Sequence, residues 1–140
     1  MRHRLAVVVA AALMTVAAGA GCSQPQTVAQ SSARVTVGDH TYTTRAPQCT
    51  QLQSFRTITI ADHEASVEAV VLLTGQRTIP QWVKIRDFGG FTGSFWQNGV
   101  GDAAASLGRT TLTITGSAYG IQSSNPNRST TTSFEITAKC

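Results

Sequence analysis

Thr57-Ile58-Thr59-Ile60-Ala61-Asp62-His63-Glu64-Ala65-Ser66-Val67-Glu68-Ala69-Val70-Val71-Leu72-Leu73 decides the fold class. Its first four residues alternate hydroxylated and apolar side chains, the period of a half-buried strand. Asp62-His63-Glu64 supplies a turn. Val67 to Leu73 is then a nearly continuous apolar run of seven residues ending just before Gly75. Its length and β-branching suit a strand covered on both faces, with a short helix as the alternative. Strand, turn, strand is the pattern that the rest of the chain repeats.

Upstream, Val35 and Val37 flank Thr36, and Gly38-Asp39 turns into His40 to Thr44. Downstream, Pro80 precedes the alternating Trp82-Val83-Lys84-Ile85-Arg86, and Gly89-Gly90 turns into Phe91 to Trp96. Asn98-Gly99 is the strongest short hairpin signal in the chain. Asp102 to Leu107 and Thr111 to Thr115 give two strands across Gly108-Arg109. Gln122 to Thr131, with Asn125-Pro126, is expected to be a loop, and Ser133 to Ala138 closes the domain. Composition agrees: the 140 residues include 20 Thr, 12 Ser and 12 Gly, which favours strands and turns over helices. The expected architecture is all-β, an antiparallel β-sandwich or partly open barrel of about eight strands. One domain fits this length, and a doubly wound dinucleotide-binding enzyme with a second domain does not.

The N-terminus reads differently. Arg2, His3 and Arg4 form a positive start, and Leu5 to Ala18 is apolar except for Thr15. That run is short for a membrane span of about 20 residues and matches a signal-peptide core. Residues 1–21 are therefore expected to be a signal peptide of lipoprotein type. Two cleavage patterns are present. Ala18-Gly19-Ala20 suits ordinary signal peptidase, which would release a soluble secreted binding protein beginning at Gly21. Ala20-Gly21-Cys22 resembles the end of a bacterial lipobox, in which the Cys22 thiol receives a diacylglyceryl group. Residues 22–33 are then the lipidated Cys and a flexible polar linker, and residues 34–140 the β-domain.

The only cysteines are Cys22, Cys49 and Cys140. If Cys22 carries lipid, the other two can pair outside the cytoplasm. The anchor would hold the protein to the outer face of the plasma membrane, because two or three acyl chains bind stably where one does not.

The signal with Cys22, then Thr57 to Ile60, Ile114-Thr115-Gly116-Ser117-Ala118-Tyr119-Gly120-Ile121, Asn125-Pro126, and Ser133-Phe134-Glu135-Ile136 ahead of a last Cys together resemble the mycobacterial 19-kDa lipoprotein antigen (LpqH) family. The resemblance spans about Arg34 to Cys140. It implies a surface-exposed, acylated cell-envelope lipoprotein with a β-rich domain, an antigen whose acylated N-terminus is sensed by host Toll-like receptor 2, with a suggested role in ligand transport. By position, Cys22 matches the lipidated Cys, and Cys49 and Cys140 the family's other two cysteines. Gly19 replaces the usual lipobox Leu. The linker, with Thr27, Ser31 and Ser32 as its hydroxyls nearest the domain, is shorter and poorer in Thr than the family tract that carries glycans, so the resemblance does not extend to glycosylation.

Chemistry is sparse. There is no His-Glu-x-x-His, Cys-x-x-Cys or Gly-x-Ser-x-Gly, so no catalytic residue, metal ligand or cofactor is expected, and no enzymatic activity. Gly99-Val100-Gly101-Asp102-Ala103-Ala104 imitates a dinucleotide fingerprint in the wrong context and reads as a turn. Asp62-His63-Glu64 is the only ionisable cluster and reads as a solvated turn, with His40 alone elsewhere. The formal charge is +4. Removing Arg2 and Arg4 leaves 9 basic against 7 acidic residues, or +2, with no basic run, which excludes nucleic acid as a partner.

The informative cluster is aromatic. Trp82, Phe88, Phe91, Phe95 and Trp96 are five of the nine aromatic residues. Either they fill the core, or some line a groove for an acyl chain or glycan, with Gly89, Gly90 and Gly93 leaving room beside it. Phe95 and Trp96 are adjacent, so on a strand they point to opposite faces. One can complete the core while the other meets a ligand or the membrane interface.

Overall fold

In the computed structural model, Gly21 and residues 31–140 are described. Residues 1–20 of the expected signal peptide, Cys22 and Thr27 lie outside the described residues. Ten strands form one antiparallel sheet. They are β1 (Ser32–Val37), β2 (His40–Thr44), β3 (Gln48–Leu52), β4 (Phe55–Asp62), β5 (Ala65–Thr74), β6 (Arg77–Phe88), β7 (Phe91–Trp96), β8 (Asp102–Leu107), β9 (Thr111–Gln122) and β10 (Asn125–Lys139). Their order across the sheet is β2-β1-β10-β9-β7-β6-β5-β4-β3, and β8 also pairs with β9.

The all-β, antiparallel expectation stands, with ten strands where about eight were expected. The sheet does not close, yet it turns over on itself. One apolar core takes Val35, Ile114 and Ile136 from one half and Ile58, Val67, Val71 and Val83 from the other. Such packing needs the two halves face to face, which is the sandwich arrangement. The edge strands β2 and β3 are joined by only Arg45-Ala46-Pro47. The seam is fastened by a disulfide between Cys49 of β3 and Cys140, with Cα atoms 6.0 Å apart.

Alternation fixes which side chains enter the core. In β4, Ile58 and Ile60 are buried, while Thr57 and Thr59 are half-buried on the outer face. In β5, Val67, Ala69 and Val71 point in, and Glu68, Val70 and Leu72 point out. The run from Val67 to Leu73 is thus a strand, covered fully on one face and partly on the other.

Five two-residue turns, Gly38-Asp39, Gln53-Ser54, His63-Glu64, Gly75-Gln76 and Gly89-Gly90, all place their first residue in the left-handed region. Glycine fills that position at no steric cost in three of them. Gln53 and His63 adopt it despite their Cβ.

Three expectations are corrected. Strand β1 starts at Ser32, so Ser32 and Ala33 belong to the sheet and not the linker. Gln122 to Thr131 is not a loop: β9 and β10 continue through it, turning at Ser123-Ser124, with the register shift between Asn125 and Ser129 accommodating Pro126. A strand residue lacking N–H is tolerated at such an irregularity. Asn98-Gly99 does turn, with Asn98 at φ 60°, but it joins no hairpin. Strands β7 and β8 both pair with β9, at Tyr119–Gln122 and Leu112–Ser117 respectively. The chain therefore leaves the β9 edge after Ser94, loops out through Gln97–Gly101, and rejoins it. Gly120 and Gly116 of β9 permit this close approach, since a Cβ on either would run into the carbonyl of Thr92 or Asp102.

Candidate functional site

The aromatic cluster divides by the pleat. Phe88, Phe91 and Phe95 are buried, Phe91 almost completely. They take the core alternative. Trp96 is 45% exposed and Trp82 half-buried on the outer face. Phe95 and Trp96 point to opposite sides, as a regular strand requires. Clefts do lie beside two of the glycines, one bordered by His40, Phe88, Gly89 and Phe91 and another by Glu68, Lys84, Thr92 and Gly93, and neither is lined by Trp82 or Trp96. A side chain at Gly89 would meet His40, one at Gly90 would meet Ser123, and one at Gly93 would meet Phe91 and the Tyr119 carbonyl.

Trp82 and Trp96 are direct cross-strand partners in β6 and β7. Their rings stack with centroids 6.1 Å apart and planes at 28°. The Lys84 ammonium, two residues along the same face, sits 4.7 Å from the Trp82 ring centre and 5.6 Å from that of Trp96. A cation over two indole faces is attracted by their quadrupoles, worth about 0.5–1 kcal/mol at an exposed site.

A local irregularity brings Trp82 to this face. The register of β5 with β6 shifts between Val71↔Pro80 and Val70↔Trp82, leaving Gln81 as an extra residue. Without it, Ile79 and Trp82 would face opposite sides. With it, both point out. The bulge also seats the end of β7, whose Gln97 N–H donates to the Gln81 carbonyl at 2.8 Å. Pro80, buried at the bulge, has no N–H to leave unpaired.

Beyond the tryptophans the outer face stays apolar. Val70 is the partner of Trp82 in β5. The next row across the sheet is Leu52, Phe55, Leu72 and Ile79. Leu52 is 77% and Phe55 43% exposed. Sequence reasoning missed this row because β3, Gln48-Cys49-Thr50-Gln51-Leu52, is mostly polar and shows no alternation. The signal available was Leu52 and Phe55 flanking the two-residue turn Gln53-Ser54.

Elsewhere Val100, Tyr119 and Ile121 are also exposed, among many hydroxylated side chains. A cleft on the outer face of β1, β2, β9 and β10 is lined by Arg34, Thr36, Thr41, Thr115, Ser133 and Glu135. Asp62-His63-Glu64 is the β4–β5 turn, with His63 Nε2 3.6 Å from Asp62 Oδ1 and its side chain 92% exposed. Gly99 to Ala104 contains the loop and the start of β8, with no helix to receive a pyrophosphate. Cys49 and Cys140 are bonded to each other, and neither is left for Cys22.

The Mycobacterium 19 kDa lipoprotein antigen family matches residues 26–140. The chain is 50% identical over 140 residues to a protein named "Probable lipoprotein LppE" from Mycobacterium tuberculosis (strain ATCC 25618 / H37Rv), covering 100% of both. It is 33% identical over 140 residues to a "Putative lipoprotein" of Mycobacterium avium subsp. hominissuis (strain TH135), covering 97% of that relative. A "Putative lipoprotein" of Mycobacterium indicus pranii (strain DSM 45239 / MTCC 9506) is 36% identical over 141 residues, covering 100% of both chains.

Proposed function

We propose that this chain, which belongs to the Mycobacterium 19 kDa lipoprotein antigen family, is a cell-envelope lipoprotein held at the outer face of the plasma membrane by acylated Cys22. On this reading the β-domain is presented outward and has no catalytic role. The supporting observation is the Cys49–Cys140 bond, which accounts for two of the three cysteines and leaves the remaining one for lipid. The names of the relatives point the same way.

Acyl chains on Cys22 supply affinity that scales with buried methylenes, about 0.8 kcal/mol each, so dual or triple acylation makes membrane residence stable. The domain then serves as an interaction surface, with host Toll-like receptor 2 as the partner for the acylated N-terminus. Trp82 and Trp96 are the candidate contacts for a lipid or glycan. Detergent phase partitioning tests the anchor. The wild-type protein should enter the detergent phase, and Cys22→Ala should shift it to the aqueous phase. Equal partitioning of both would reject acylation at Cys22.

A further inference from the structure

The two ends of the sandwich differ in charge, while exposed apolar side chains occur at both, Ile121 among them at the far end. Strand β1 begins at Ser32, paired with Lys139, so the chain enters the domain at the end where β10 finishes and β9 starts. Turns 53–54, 75–76 and 108–110 lie at that same end, because antiparallel pairing places them opposite the turns 38–39, 63–64 and 89–90. Arg45, Arg56, Arg77, Arg109 and Lys139 gather at this entry end, and among the described residues no Asp or Glu side chain joins them. Asp39, Asp62, Glu64 and Asp87 lie at the far end, beside or within its turns. Glu68, Asp102 and Glu135 sit along the strands between, and the far half keeps only Arg86 and Arg128 as cations besides mid-strand Lys84.

The exposed apolar row is at the entry end too. Leu52 lies three residues beyond disulfide-bonded Cys49 along β3, about 10 Å at strand rise. Phe55 and Leu72 stand beside it, Leu107 is 39% exposed at the end of β8, and Trp96 lies one row further in. Indoles beside apolar residues, with long cationic side chains around them, are the composition that suits a membrane–water boundary.

We propose that this end is a membrane-docking face. Leu52, Phe55 and Trp96 enter the headgroup boundary of an anionic bilayer, while Arg45, Arg77, Arg109 and Lys139 meet its phosphates. The proposal rests on the anchored reading of Cys22. Nine residues lie between Cys22 and Ser32, a span of at most about 36 Å when fully extended, so an anchored domain cannot move far from the surface. Short reach makes docking effectively intramolecular, and weak contacts then suffice. Charge polarity selects the orientation: the cationic end faces the lipid and the acidic end faces away.

The test installs the anchor chemically. The chain from Cys22 onward contains every described strand, and its Cys22 thiol can be coupled to a maleimide lipid in vesicles of phosphatidylglycerol and phosphatidylcholine. Brominated acyl chains quench tryptophan at close range, and the chain's only tryptophans, Trp82 and Trp96, are on this face. Quenching is expected in anionic vesicles and not in pure phosphatidylcholine. Leu52→Ser with Phe55→Ser should abolish it. Arg77→Glu with Arg109→Glu should lower the docked-to-undocked ratio at least about 25-fold, roughly fivefold per cation removed. Arg128→Glu, at the far end, should leave it unchanged. Unquenched tryptophans, or quenching that survives both double substitutions, would overturn the proposal. So would self-association of the unanchored chain that the same substitutions abolish while vesicle quenching persists. Because the thiol is coupled in vitro, this outcome is separate from whether cells acylate Cys22.

Discussion

Breaking the Cys49–Cys140 bond should destabilise the domain by about 4.6 kcal/mol. The bond closes a loop of 92 residues, one more than the sequence separation of 91. Chain-entropy arithmetic for that length gives roughly 15.6 cal/mol/K, hence about 4.6 kcal/mol at room temperature. That is a large share of the about 5–15 kcal/mol by which such domains are stable. The location adds a structural cost. Strand β3 is an edge strand with β4 as its one sheet partner, and the disulfide is its link to the opposite half. The assay is urea or thermal unfolding followed by far-UV circular dichroism, with the oxidised protein compared against Cys49→Ser/Cys140→Ser. At about 4 °C per kcal/mol for a domain of this size, the midpoint should fall by roughly 18 °C. The denaturant slope should rise, because an uncrosslinked denatured chain exposes more surface. A loss below about 1 kcal/mol with an unchanged slope would refute the reasoning and show that sheet pairing alone closes the seam.

Phe91→Ala removes a nearly fully buried ring and should cost about 3–5 kcal/mol in the same unfolding assay. Trp96→Ala, by contrast, should lose no more than about 1.5 kcal/mol, the scale of an aromatic pair, while removing the exciton couplet of the Trp82–Trp96 stack from far-ultraviolet dichroism. Gly120→Ala drives a methyl into the Thr92 carbonyl and should destabilise by about 1–3 kcal/mol, measurable as a drop in midpoint. Gly99→Ala, which meets only ordinary contacts near Trp96, should stay within about 1 kcal/mol of wild type.

Much of this fold is legible where alternation and glycine turns coincide. Thr57 to Ile60, Trp82 to Arg86 and Ser133 to Ala138 each bury every second residue as their patterns require. Strand β3 was illegible because an edge strand half wrapped in solvent has little apolar content to periodise, and because its turn carries Gln53 where glycine is usual. The β9–β10 hairpin was hidden by Asn125-Pro126, whose turn chemistry is real but is absorbed as a bulge. Asn98-Gly99 misled for the opposite reason. A strong local turn preference is satisfied by an excursion from one edge of β9 that returns to the same edge. At the surface, the opposite orientation of Phe95 and Trp96 follows from the pleat alone. That Trp82 joins Trp96 depends on the Gln81 bulge, and that Leu52 and Phe55 extend the apolar face depends on long-range pairing. Neither can be read from spacing.

Anchorage through position 22 is tested most directly by the mass of the N-terminal peptide of the protein recovered from membranes of a mycobacterial expression host. Thioether-linked diacylglyceryl mass on Cys22, with or without a further amide-linked acyl chain, is the expected result. An unmodified peptide beginning at Gly21, found in the culture medium, would contradict it.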